Sequence, residues 1–144
     1  MDDVLNAIVA ILAADTQLVG MLNSGAQSIY EERDLTGENF DTKVPLVTIT
    51  SQGERPLLGP DISTETVTFR IYDQNYGYYR IGQIRRRIKQ LLHNQILNVT
   101  TPDTRSVLGM LWTWNTPAYY DDNFQADNAG IRFQMTVQDT DFTH

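Results

Sequence analysis

No cysteine occurs in the 144 residues of the chain, which excludes disulfides, thiolate metal sites and cysteine nucleophiles and suits a reducing compartment. Histidine is nearly as scarce. His93 and His144 are far apart in sequence, so no histidine metal centre is expected, and the adjacent carboxylates Asp2 and Asp3, or Asp121 and Asp122, do not by adjacency build a cage for a hard cation. The apolar run over residues 4–14 is too short to span a bilayer, and Asp2 and Asp3 stand where a secretory signal needs positive charge, so no membrane partner is expected. No Gly-rich phosphate loop follows a strand-like run, and no nucleophile, base and orienting group can be assembled into a set. Neither an enzyme nor a cofactor is expected. Proline-rich, Gly/Ser and internally repeated tracts are missing as well, which excludes linker-like and solenoid organisations.

What is present suits one globular domain over residues 1–144, with 41% apolar and 20% charged residues. A chain of this length buries roughly 70% of the surface its unfolded form exposes. The formal charge is -7 and the pI near 4.6. That balance argues against a surface that grips nucleic acid all round, because such affinity comes mainly from neutralised phosphates.

The pattern of residues sets out the elements. Val4, Leu5, Ile8, Ile11 and Leu12 have helical spacing behind an acidic start, and Asp15 with Thr16 can cap a further turn through Leu22. Asn6, Ala10, Ala13 and Gln17 make the other side of the first helix small or neutral. A short strand is expected through Ser28, Ile29 and Tyr30, then a polar, acidic loop over residues 31–43. "VPLVTIT" reads as a strand. Gly53, Pro56, Gly59 and Pro60 are expected to take the chain out of the sheet, with Leu57 and Leu58 at the exposed tip. "ETVTFRIY" alternates Val67, Phe69 and Ile71 against Thr66, Thr68 and Arg70, and a helix starts at Gly77. "VLGMLWTW" and "IRFQMTVQD" are two more strands. Trp112 and Trp114 are expected on one face of the first of these, as core or as a cross-strand cluster. The long link between the two strands reads as a functional arm bearing Tyr119 and Tyr120. Strands, helix and strands without regular βα alternation indicate an α+β fold, a largely antiparallel sheet with two main helices packed on it.

The charge distribution singles out one element. Arg80, Arg85, Arg86, Arg87 and Lys89 are five of the eleven basic residues, within ten positions of the helix that starts at Gly77. Its apolar stripe is Ile81, Ile84, Ile88, Leu91 and Leu92. At roughly 100° per residue, Arg85, Arg86 and Lys89 fall to one side of that stripe and Arg80 and Arg87 to the other. No acidic residue occurs between Asp73 and Asp103, so local i,i+4 partners are absent. The partners are across the fold, on another chain, or solvent. With Leu57, Leu58, Tyr119 and Tyr120, these five residues are the candidate interface set.

The order "ILAADTQLVGML", "SIY", a polar loop, "VPLVTI", "VTFRIY" and "GYYRIGQIRRRIKQLL" resembles the tail terminator or tail completion proteins of long-tailed bacteriophages, and "IRFQMTV" is similar to that family's closing strand. The resemblance covers most of residues 4–92; residues 94–128 match no pattern of the family. It implies a virion protein assembled in the host cytoplasm, a six-membered ring of identical subunits. That ring sits on the tail tube protein, stops its polymerisation and meets the connector proteins of the neck, with DNA passing through the lumen without specific binding. Two alternatives stay open: another neck or head-completion connector subunit, and a small nucleic-acid-binding module using the helix from Arg85 to Lys89.

Overall fold

A computed structural model describes residues 3–56, 62–74, 77–98 and 105–139. In chain order the elements are helices α1 (Asp3–Ala14) and α2 (Thr16–Val19), strands β1 (Ile29–Glu31), β2 (Leu46–Pro56) and β3 (Ile62–Asp73), helix α3 (Gly77–Leu92), and strands β4 (Leu97–Asn98), β5 (Arg105–Asn115), β6 (Tyr119–Asp121) and β7 (Ala126–Asp139). They form an α+β fold around one sheet in the order β1-β2-β3-β7-β5-β4, with β6 also paired to β7. Among the described strands only β1 with β2 is parallel; the other ladders are antiparallel.

Two periodicities meet in the main core. The 3.6-residue stripe of α1 buries Val4, Leu5, Ile8 and Leu12, and that of α3 buries Ile81, Ile84, Ile88 and Leu92. The alternating strand residues Val47 and Ile49, Val67, Phe69 and Ile71, and Ile131, Phe133, Met135 and Val137 supply the sheet side. Phe69 and Phe133 meet edge to face at 5.8 Å across the β3–β7 ladder, the arrangement that the ring quadrupoles favour.

Among the described residues, the other face of the sheet is covered only at one end. There Phe40, Val44, Leu46, Tyr72 and Ala126 form a second apolar cluster. Phe40 stacks on Phe124 at 4.6 Å, and Tyr72 stands edge-on to both rings. Burial pushes the Tyr72 phenol up to about 12. The segment expected to be a polar loop over residues 31–43 is thus pinned on the sheet by Phe40. It also contains two short 3-10 turns, Glu32–Asp34 and Phe40–Thr42.

Three expectations are corrected. The chain does not leave the sheet at Gly53: Glu54, Arg55 and Pro56 still pair with Glu65, Thr64 and Ser63, after a bulge in which Gly53 takes φ 66, a conformation that glycine adopts without a Cβ penalty. Leu57 and Leu58 lie outside the described residues. The link after Asn115 is not a free arm either, because Tyr119, Tyr120 and Asp121 continue the hairpin opposite Asn128, Asp127 and Ala126. Its turn is held by Asp121 Oδ1, which accepts from the backbone N–H groups of Asn123 and Phe124. The third correction concerns the tryptophans. Trp112 pairs with Phe133 and Trp114 with Arg132, with Thr113 left over as a bulge. The extra residue turns Trp112 to the helix side, packed on the core, and Trp114 to the open face, where it is 53% exposed.

Candidate interface surfaces

The two flanks of α3 have different fates. Arg80 closes on Asp73 through two bonds, Nε to Oδ2 at 2.6 Å and Nη2 to Oδ1 at 2.7 Å. Asp73 is the last residue of β3 and fully buried, so this pair ties strand to helix. Arg87 closes in the same way on Asp15, with bonds of 2.9 and 2.6 Å. Asp15 also caps α2, accepting from the Leu18 N–H at 2.8 Å. Both arginines of this flank therefore hold elements of their own chain together.

The Arg87 pair carries a pH signature. The hydrogen bond from Arg87 holds the Asp15 carboxyl below its ordinary value of 3.8. A depressed carboxyl adds stability that is fully present above that ordinary value and is lost as pH falls through the lower, folded one. Asp15→Asn keeps a capping oxygen but no charge. Its thermal midpoint is expected to lie below that of the unsubstituted protein near neutral pH, with the gap closing as pH falls below 3.8. A gap that persists through that acid range in thermal denaturation would contradict the assignment.

The other flank of α3 makes no such pair among the described residues. Arg85 donates to the Thr116 carbonyl at 3.3 Å, and desolvation by burial lowers the pKa of its guanidinium. Lys89 Nζ sits 3.6 Å from the centre of the Trp112 ring, a cation–π contact. Arg86 is exposed. Among the described residues none of these three cations has a carboxylate partner. They line two adjoining hollows. One, of about 180 Å³, lies between Gly82, Arg85, Arg86, Lys89, Asn115 and Ile131; the other, of about 340 Å³, is bounded by Arg86, Lys89, Gln90 and His93. Beside them the edge of β5 is closed by the end of α3. His93 Nδ1 accepts from the Trp112 N–H at 3.1 Å, and the Asn94 N–H donates to the Met110 carbonyl at 2.7 Å, which blunts an otherwise open strand edge.

Tyr119 and Tyr120 lie on β6, 44% and 53% exposed. Arg70 Nη1 donates to the Tyr119 hydroxyl at 2.7 Å, and Arg70 Nε also lies 3.7 Å from Glu32, so Tyr119 is partly fixed while Tyr120 is free for contact. Sequence reasoning did not place Trp114 among the contact residues. With Gln52, Gly53, Thr64, Thr66, Thr113, Arg132 and Gln134 it lines a broad hollow of about 800 Å³ on the uncovered part of the sheet. The run of Thr and Gln at alternate strand positions is the signal that a second face lacks an apolar cover. Asp34, Glu38 and Asp41 belong to the acidic loop expected over residues 31–43, but sequence reasoning did not single them out within it. They are exposed and have no cationic partner among the described residues.

Among the described residues no group of acidic or histidine side chains could hold a metal ion, and no helix is long and apolar enough to cross a membrane. The class defined at this point is an α+β sheet domain with one face under helices, the other partly bare, and a cationic helix flank. No protein-family model matches the chain, and no curated protein matches it. Among solved structures, a chain of the virion of a native gene transfer agent particle has a similar fold, with a TM-score of 0.71 over 92% of each chain at 10% identity.

Proposed function

We propose that this chain is a structural subunit of a phage-like virion, without enzymatic activity, that caps the tail tube as a ring of six copies. It would end tube polymerisation and join the tail to the connector proteins of the neck. The observation that carries this reading is the likeness in fold to a chain of the gene transfer agent virion over 92% of both chains. The resemblance of the element order to tail terminators supports the finer assignment. A ring of identical copies needs two complementary surfaces on each subunit, and the cationic flank of α3 and the exposed acidic segment after β1 supply such a pair. The net charge of -7 suits a lumen that lets DNA pass without holding it. The test is polymerisation of tail tube subunits with and without this protein: tubes should stop growing and carry a cap at one end. Rings that ignore tubes and bind neck proteins alone would move the assignment to a connector subunit.

A further inference from the structure

We infer that the contact between neighbouring copies is electrostatic and head-to-tail, with Arg85, Arg86 and Lys89 of one copy receiving Asp34, Glu38 and Asp41 of the next. This rests on the ring reading above and adds which surfaces meet. The two sets are opposite in sign: among the described residues Arg85, Arg86 and Lys89 have no carboxylate partner and Asp34, Glu38 and Asp41 no cationic one. The segment over residues 31–43 stays acidic although it also carries Arg33, paired with Glu31, and Lys43, bonded to Thr36. The two sets also lie on different sides of the subunit. The cations flank α3 beside β5, as the Lys89–Trp112 and Arg85–Thr116 contacts show. The acidic segment follows β1, at the far edge of the sheet. Phe40, in the same segment, packs against Leu46 and Tyr72. Those two pair with each other one position from the Val47–Ile71 pair that faces the helices, so the segment lies on the face away from α3.

Surfaces at opposite edges and on opposite faces of one sheet cannot both meet a single partner across a two-fold axis. They generate a head-to-tail series that closes into a ring when the rotation allows. An isolated exposed ion pair contributes little, but here Arg85 is partly desolvated and the hollow between Arg86 and His93 gives a carboxylate-bearing loop somewhere to enter. Opposed charge of this kind also fixes register and excludes wrong partners.

The contact can be tested by exchanging charge. One variant carries Arg86→Glu and Lys89→Glu, and a second carries Asp34→Lys and Glu38→Lys; all four positions are outside the apolar core, and the fold of each is to be checked by circular dichroism before assembly is read. Each alone is expected to lose the ring, whether free or on tubes, as read by molecular mass in solution and by electron microscopy. Mixed in equal amounts they should recover it, because the unaltered acidic segment of the first meets the unaltered helix of the second, and the reversed pair meets in turn. Rings formed as readily by the first variant alone overturn the inference and leave the ring reading standing. So does a mixture that stays unassembled when both components are folded. If the unsubstituted protein neither forms rings nor caps tubes, the ring reading itself fails. Loss of retention of a short DNA duplex in the first variant, with rings intact, would reassign the cations to nucleic acid and overturn the inference.

Discussion

Arg80→Ala is expected to cost the subunit about 3 kcal/mol, the low end of the range for stripping one partner from a buried ion pair. Asp73 has no exposed side-chain surface. Its carboxylate accepts two bonds from Arg80 and one, at 2.8 Å, from the Gln74 N–H. Removing the guanidinium leaves a buried anion with a single donor. Arg80 is 25% exposed, so water can enter the space, which places the loss at the bottom of the range rather than the top. For a chain of this size the thermal midpoint should fall by roughly 10 °C. Adding Asp73→Asn to Arg80→Ala removes the stranded charge and should recover part of the loss. A single variant within about 0.5 kcal/mol of the parent, the ordinary range for surface positions, would mean that the pair does not join β3 to α3 as described.

Gly130→Ala is expected to destabilise by about 2 kcal/mol through overpacking. The sign is informative, because glycine within a strand is usually weaker than alanine and replacement would ordinarily help. Gly130 lies in the middle of β7, buried and paired with Arg70. A Cβ there would stand 2.6 Å from Thr116 Oγ1 and 2.8 Å from the Phe69 carbonyl oxygen. The threonine can turn aside. The carbonyl belongs to the neighbouring strand and cannot, so Thr116→Ala combined with Gly130→Ala should restore only a fraction of the loss. Chemical denaturation of the two variants and the parent reads this directly; a neutral or stabilised Gly130→Ala would show that Thr116 and β3 do not close over β7.

Periodicity made the main layer of the fold legible. Val67, Phe69 and Ile71, or Ile131, Phe133 and Met135, could face only one way in a pleated strand, and the stripe of α3 had to meet them. The same angular reasoning separated Arg85, Arg86 and Lys89 from Arg80 and Arg87, and the structure keeps that division. What it could not give was the partner on each side, since Asp15 lies 72 positions from Arg87 and only the fold brings them together. Bulges were the second limit. Counting by twos placed Trp112 and Trp114 on one face, but Thr113 adds a residue opposite the Phe133–Arg132 step and reverses the outcome. The third limit was aperiodic sequence. Nothing in residues 31–43 announces that Phe40 will anchor the segment to Tyr72 and Phe124, so its exposed carboxylates could not be assigned to a fixed surface. The candidate interface thus divides. Arg80 and Arg87 serve the subunit's own integrity, whereas among the described residues Arg85, Arg86 and Lys89 have no carboxylate partner, and the exposed acidic residues lie on the segment that Phe40 anchors to the opposite face.

Electron microscopy of tail tubes assembled with the purified protein tests the central claim most directly. The expected images show a closed ring of this chain, six copies, at one end of each tube, with tubes that do not lengthen when more tube subunits are added. Tubes that keep growing beside a protein that stays monomeric would contradict the assignment to a ring that ends the tail.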